Sequence, residues 1–346
     1  MSFSVGIIGL PNVGKSTLFQ ALTRKKVEIA SRPFTTIHPN LGIVAVPDER
    51  LEKIAKIIKP EKVTPTTIEF VDIAGLVKGA HKGEGLGNQF LGYVRNCDAI
   101  LEVVRGFEAE NIPHVEGNIN PLRDIEIIKV ELLMKDFETI ENILQKLEKD
   151  SKKDKASQKK CETLRKIKEI LSRGEVISEA FLSKEERSEI KDYQLLSFKP
   201  RVFVLNVNQK NSENLGSPEI NFLPLNIKME EEISELSPQE FTELGISSSL
   251  DQLILKCYHI LSLITFYTVV GLKETRAWTV KRGSEALEAA GKVHSDFEKK
   301  FIRAEVIPWE KLVEAESWAK AKESGLLKST GKEYVLEDGD IIEFKI

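Results

Sequence analysis

Cysteine is scarce in this chain. Cys97, Cys161 and Cys257 are an odd count, far apart in 346 residues and without CxxC spacing. That excludes a disulfide frame or a cysteine zinc site and reads as reduced thiols in a cytosolic protein. The five histidines (His38, His81, His114, His259, His294) show no HxxxH spacing, so no transition-metal site is expected. No GxSxG elbow or Cys–His nucleophile context occurs. Neither sign of charge dominates: 50 Lys and Arg stand against 54 Asp and Glu, a formal net charge of -4. Any contact with nucleic acid or membrane therefore needs a local patch. The longest uncharged run, Cys257 to Leu272, is too short and too rich in Ser, Thr and His to span a bilayer. The first residues lack the basic region and cleavage site of a secretory signal. These absences point to a soluble, cytoplasmic protein with no membrane partner. What is present is ordinary globular material, 41% hydrophobic and 30% charged, in a length that suits two or three domains.

The first stretch alternates apolar runs with loops and helical segments, the pattern of a mostly parallel α/β sheet covered by helices. Strands are expected at Val5–Gly9, Gly42–Val46, Thr67–Asp72 and Ile100–Val104, then at Val202–Asn206 and Phe222–Leu225. Between these halves, from Pro121 to Gln194, nearly half the residues are charged with the signs balanced, and Gly174 is the sole glycine. Val130, Leu133, Phe137, Ile140, Leu144 and Leu147 step by three and four, a coiled-coil seam. The polar stretch Lys152–Lys160 interrupts it before Leu164, Ile167 and Leu171 resume. An antiparallel helical hairpin buries that seam better than the alternative, a single long surface helix. After Thr265 the composition changes again, with all three tryptophans (Trp278, Trp309, Trp318) in the last part. Short strands at Arg276–Val280, Ala304–Val306, Tyr334–Leu336 and Ile341–Phe344, with a helix near Ser284–Ala290, make a small α+β module. The expected domains are thus residues 1–120 with 196–264, an insertion at 121–195, and a module at 265–346.

Gly9-Leu10-Pro11-Asn12-Val13-Gly14-Lys15-Ser16 fits GxxxxGK[ST] directly after a strand and before the helical run Thr17–Arg24. A glycine-bounded loop lets successive N–H groups turn toward phosphate oxygens, and the helix N-terminus adds partial positive charge. Lys15 supplies a point charge for the β and γ oxygens and the Ser16 hydroxyl a Mg²⁺ ligand. Asp72-Ile73-Ala74-Gly75 follows a strand, where the acid can hold Mg²⁺ directly or through water and the Gly75 N–H can reach the γ-phosphate. Phe34-Thr35-Thr36, between the first two strands, offers a threonine hydroxyl to the metal. Gly79, Gly83, Gly85 and Gly87 give the following segment the freedom a γ-phosphate sensor needs. Together these form a nucleoside-triphosphatase switch apparatus.

Gly9–Thr17, Pro33–Gly42 (PFTTIHPNLG), Asp72–Leu91 (DIAGLVKGAHKGEGLGNQFL), Asp98–Phe107 and Asp296–Val306 (DFEKKFIRAEV) resemble the YchF family, Obg-like ATPases among the translation-factor-related P-loop GTPases. The resemblance runs nearly end to end. It implies a Ras-like P-loop G domain, an inserted helical coiled-coil domain and a C-terminal TGS domain of β-grasp shape. It also implies association with the ribosome, through RNA or ribosomal protein, and preference for ATP over GTP. By this likeness Ser16 and Thr36 are Mg²⁺ ligands, and Asn12, Val13, Gly14, Lys15, Ser16 and Thr17 hold the phosphates. A monomer is expected.

Guanine-specific enzymes carry Asn-Lys-x-Asp after the corresponding strand; here that place reads Asn206-Val207-Asn208-Gln209. A carboxamide at Gln209 offers one acceptor and one donor, which suits adenine and sets donor against donor on guanine. Alternatively Gln209 is an ordinary loop residue while Asn206 and the Val207 backbone contact the base. Both readings disfavour strict GTP use. The later base loop also departs from the usual pattern, reading Asn226-Ile227-Lys228. Where related enzymes place a water-orienting glutamine, this chain has Leu76, so intrinsic turnover should be slow. His114, which the resemblance places near the γ-phosphate, is one substitute, or else a surface loop histidine. Asn12 occupies the position at which related GTPases bind K⁺, or else it makes ordinary loop hydrogen bonds. Lys152, Lys153, Lys155, Lys159 and Lys160 at the hairpin tip, and Arg276, Lys281, Arg282, Lys299, Lys300 and Arg303 in the last module, are candidate basic surfaces. Interleaved acids make solvated faces an equal reading. The sequence also leaves open a scaffold that merely binds nucleotide, and a GTP-specific factor of the Obg kind.

Overall fold

The computed structural model describes residues 3–24, 40–73, 87–109, 111–150, 155–178, 180–208, 220–236, 240 and 248–346. The expected ligands and contacts Thr36, Gly75 and Gln209, the Leu76 slot and the lysines at 152 and 153 lie outside those residues.

Strands β1 (Ser4–Ile8), β2 (Leu41–Ala45), β4 (Thr67–Asp72), β5 (Ala99–Arg105), β6 (Arg201–Asn206) and β7 (Phe222–Leu225) form one sheet in the order β2-β4-β1-β5-β6-β7. Only β2 runs antiparallel to its neighbour. Every residue of β5 is buried, as a central parallel strand covered on both faces must be. Helices α1 (Lys15–Arg24), α3 (Gly87–Asn96) and α8 (Leu250–Ile260) close this core through Leu18, Leu22, Leu91, Val94, Leu253 and Ile254.

The insertion is a hairpin of α4 (Pro121–Asp150) and α5 (Lys155–Ser172). Its core joins Leu133, Ile140 and Leu144 to Cys161, Leu164, Ile167 and Leu171. Helix α6 (Lys184–Ile190), opened by a Ser183–Glu186 capping box, closes the base. One seam position differs from expectation: Val130 is 49% exposed. The first turns of α4 lie on the sheet instead, where Ile125, Ile128 and Leu132 are buried, and the interhelical seam starts only at Leu133. Asp136 fixes the returning chain by accepting from Leu196 N (2.8 Å), Ser197 N (2.7 Å) and Ser197 Oγ (2.6 Å).

The last module forms a second sheet in the order β11-β10-β12-β8-β9, extended at the β9 edge by β3 (Lys62–Thr64). The hairpin β8 (Leu263–Val270) and β9 (Glu274–Lys281) leads through α9 (Ala286–Val293) to β10 (Arg303–Pro308) and β11 (Lys328–Thr330). Strand β12 (Asp340–Lys345) then returns beside β8, parallel to it. First and last strands paired at the centre are the β-grasp arrangement expected. The strand expected at Tyr334–Leu336 is instead a turn with a single bridge, Glu285 to Val335, held by Leu336 N donating to Ser284 O.

Two elements of the first domain belong to this second sheet. Strand β3 (Lys62–Thr64) pairs in parallel with β9, and α2 (Glu49–Ile58) packs Leu51, Ile54 and Ile58 against Tyr267, Ala277, Ile307 and Ile341. Asp48 caps α2 by accepting from Arg50 N and also accepts from the Tyr267 hydroxyl. The expected boundary near 265 therefore divides the chain but not the packing.

Candidate functional site

The loop between β1 and α1 is shaped by two glycines. A Cβ on Gly9 would stand 2.4 Å from the Val103 carbonyl oxygen, so only glycine lets β1 leave the sheet that close to β5. Gly14 has φ +101°, and a Cβ there would stand 2.7 Å from Asn206 Nδ2. Buried Leu10 and Val13 root the loop in the core, while Asn12 and Ser16 are exposed at its rim and Thr17 is half-buried. Lys15 opens α1 and is 7% exposed; its Nζ donates to Leu10 O at 2.9 Å, across the loop's own mouth. Burial pulls its pKa down to about 8, against the opposing pull of Asp72.

Asp72 ends β4, which lies beside β1 with Ile7 opposite Asp72. Burial raises its pKa, opposed by the Ser16 hydrogen bond and the Lys15 charge. Among the described residues its Oδ1 is buried with no hydrogen-bond partner. Lys15, Ser16 and Asp72 are thus brought together from a loop and a strand more than fifty residues apart. Among the described residues there is no cluster of three or more His, Cys, Asp or Glu side chains fit for a metal.

On the side where a base would lie, Asn206 ends β6. Its Nδ2 donates to Val13 O (2.9 Å) and its Oδ1 accepts from Ile227 N (3.2 Å). The carboxamide therefore braces the phosphate loop against α7 (Ile227–Ile233) with both ends engaged. The Val207 N–H is likewise used, donating to Leu225 O at 2.9 Å. Asn208 and Asn226, which the sequence pattern did not single out as ligands, stitch the neighbouring loops: Asn208 Nδ2 to Glu108 O (3.2 Å) and Asn226 Nδ2 to Asn208 O (2.9 Å).

The loop after β5 lies beside the phosphate loop. Asn12, in the left-handed region at φ 63°, donates from Nδ2 to Pro113 O at 3.4 Å. Arg105, 2% exposed, donates to Phe107 O (3.0 Å) and Ile112 O (2.8 Å) and stacks over the Phe107 ring. His114 follows, and its ring is buried: Nε2 lies 2.8 Å from Asp124 Oδ2, and Nδ1 accepts from Glu116 N at 3.1 Å. Neither ring nitrogen is open to a γ-phosphate or a water in this conformation. Asp124 had no signal in the sequence, because its role depends on a turn that folds back ten residues.

A phosphate loop, a carboxylate at the end of the neighbouring strand and an asparagine bracing the loop from behind are the frame of a P-loop nucleoside triphosphatase. Two family models match the chain: a 50S ribosome-binding GTPase over residues 4–149, and the YchF GTPase C-terminal model, described as a protein of unknown function, over 263–346. A Bacillus subtilis protein named ribosome-binding ATPase YchF is 44% identical over 364 residues, covering 100% of this chain and 99% of that protein. The chain belongs to the YchF family. An Escherichia coli O157:H7 protein of the same name is 44% identical, covering 99% of each. The solved structure of the Schizosaccharomyces pombe YchF GTPase aligns with a TM-score of 0.87 at 35% identity, over 99% of this chain and 98% of that one. The YchF likeness thus spans the sheet domain, the helical arm and the C-terminal module together. Among the described residues no helix is long and apolar enough to cross a membrane.

Proposed function

We propose that the chain is a Mg²⁺-dependent nucleoside triphosphatase that binds and slowly hydrolyses ATP, with GTP weaker or comparable. Its nucleotide state controls association with the ribosome. The observation that carries the reading is the pairing of a buried lysine ammonium with an orphaned carboxylate oxygen under a glycine-bent loop. An ammonium so placed, whose hydrogen-bond partner among the described residues is a backbone carbonyl, is poised to exchange Leu10 O for phosphate oxygens.

The backbone N–H groups from Asn12 to Thr17 hold the polyphosphate, and the Gly75 N–H meets its γ end. The unpartnered Asp72 Oδ1 beside the Ser16 hydroxyl suits a small hard cation that takes oxygen ligands. Ser16 and Thr36 would hold Mg²⁺, with Asp72 binding directly or through water. The ion, when bound, would supply positive charge that offsets the negative charge of the phosphates. Asn206, through its hold on the phosphate loop, together with Val207 and Gln209 frames the base, and the carboxamide of Gln209 favours adenine. Asn12 is the place for K⁺ if a second cation assists. Leu76 cannot orient water, so hydrolysis waits on His114.

The ribosome as partner, through RNA or a ribosomal protein, is supported by the names of the Bacillus and Escherichia relatives. The reading is of a cytoplasmic monomer acting in regulation of translation or of stress responses. Calorimetric titration with ATP and GTP, and steady-state turnover with and without ribosomes in K⁺ and Na⁺ buffers, test it. ATP binding at least comparable to GTP and turnover stimulated by ribosomes are expected. A hundredfold preference for GTP would refute the base assignment, and indifference to ribosomes would leave the nucleotide as a mere ligand of a scaffold.

A further inference from the structure

We propose that Asp124, in the first turn of the helical arm, is a positioning residue that latches His114 away from the phosphate site, so that movement of the arm releases it. This rests on the reading above that His114 acts in hydrolysis.

The tautomer of the ring follows from its neighbours. Nδ1 accepts the Glu116 N–H, so in the neutral ring Nε2 carries the proton and donates to Asp124 Oδ2. A general base needs a nitrogen lone pair within reach of the attacking water. Here the one lone pair is occupied and the one proton is given to a carboxylate. Both side chains are 3% exposed, so water does not compete for either bond. If Asp124 oriented His114 for action, as the acid does in a catalytic triad, the far nitrogen would face the reacting centre; it faces a backbone N–H instead.

The latch joins two parts of the molecule. On one side, Pro113 O accepts from Asn12 at the tip of the phosphate loop, one residue from the ring. On the other, Asp124 Oδ1 accepts from Arg123 Nη2 at 3.0 Å, and the same guanidinium donates to Asn118 O at 2.6 Å, closing the turn that holds His114. Asp124 belongs to α4, a helix of 30 residues. At the rise of an α-helix that is a lever of about 45 Å. Ile125, Ile128 and Leu132 seat the first turns on the sheet, so a partner that loads the arm beyond Leu133 pivots it there, and the His114–Asp124 pair beside that pivot is the contact the load breaks. Engagement of the arm and hydrolysis are thereby coupled through one hydrogen-bonded pair.

Steady-state ATP hydrolysis by the full-length chain carrying Asp124→Ala, Asp124→Asn, His114→Ala or Asp124→Ala with His114→Ala tests the latch. Loss of one charge-assisted hydrogen bond should raise kcat on the order of tenfold in Asp124→Ala, with KM unchanged. Asp124→Asn should show a smaller rise, since its carboxamide oxygen still accepts from Nε2–H. The double variant should fall to the level of His114→Ala. Modification of His114 by diethylpyrocarbonate should be slow in the native chain and several-fold faster in Asp124→Asn, whose neutral bond holds the ring less tightly, which keeps the test open if Asp124→Ala does not fold. Lowered or unchanged kcat in Asp124→Asn together with unchanged ring reactivity would overturn the proposal, as would a gain that survives in the double variant. If His114→Ala hydrolyses like the native chain, the hydrolytic reading of His114 falls and the latch with it. If His114→Ala is slow and the Asp124 variants are not fast, the latch alone falls.

Discussion

If Lys15 is the phosphate contact proposed above, nucleotide affinity should depend on pH in a window where few lysines titrate. The Lys15 free-state pKa of about 8 comes from burial, only partly offset by Asp72. About nine-tenths of the side chain is therefore charged at pH 7 and about one-tenth at pH 9. Only the ammonium grips phosphate, and bound phosphate raises its pKa, so binding takes up a proton as the pH passes 8. Affinity for Mg²⁺-ATP should weaken about tenfold from pH 7 to 9, or about 1.4 kcal/mol. Titration calorimetry in two buffers of different ionisation enthalpy measures both quantities: almost no proton uptake at pH 7, and close to one proton per nucleotide at pH 9. Lys15→Arg keeps its charge throughout this range, so it should bind more weakly at both pH values but without the slope. A native affinity that is flat from pH 7 to 9, with no proton uptake, would refute the assignment of Lys15 as a buried phosphate contact.

Gly14→Ala places a Cβ 2.7 Å from Asn206 Nδ2 at φ +101°. The strain and the lost brace should cost roughly 1–3 kcal/mol of stability and weaken nucleotide binding more than tenfold; a variant that melts and binds as the native chain does contradicts this. Asp136→Ala strands three buried donors on Leu196 and Ser197 and should lower stability by about 3–5 kcal/mol in denaturant titration. A loss under about 1 kcal/mol argues against the anchor. Glu102 is fully buried, and burial pushes its carboxyl up to about 8 against the pull of Arg201. The folded chain then keeps a proton that the unfolded chain releases above its ordinary pKa of 4.5, so native stability declines as pH rises from about 4.5 to 8. Glu102→Gln removes that slope, and its advantage in melting temperature should grow between pH 5 and 8; an advantage independent of pH would count against a buried proton. Tyr267→Phe removes the hydroxyl bonded to Asp48 and should loosen α2 from the second sheet by about 1–3 kcal/mol, read as a lower melting midpoint.

Read alone, the amino-acid order located the phosphate loop and the first sheet because their causes are local. Parallel strands buried on both faces are mostly apolar runs, as Ala99–Arg105 shows with only Glu102 and Arg105 breaking it, and the chemistry of Gly14, Lys15 and Ser16 lies within one turn of chain. The arm was legible for the same reason, its seam being a helical period, except at Val130, where the sheet competes with α5 for the face of α4. Strand β8 lies within the uncharged run Cys257–Leu272, whose apolar continuity alone does not tell a buried strand from a helix. Strand β3 was not legible: three residues, mostly exposed, whose partner β9 lies some two hundred positions away. The apolar face of α2 was visible as a period, but not the sheet it covers.

At the site the order of residues supplied the donors and the acid, and the tertiary structure decided how they are used. Asn206 carries the side chain a base pocket needs, yet its carboxamide is taken by Val13 O and Ile227 N. His114 carries a ring that could serve as a base, yet folding delivers it to Asp124. Local pattern sets which groups a chain possesses; only long-range packing sets which hydrogen bonds remain unmade, because each buried donor and acceptor takes the partner the fold brings to it.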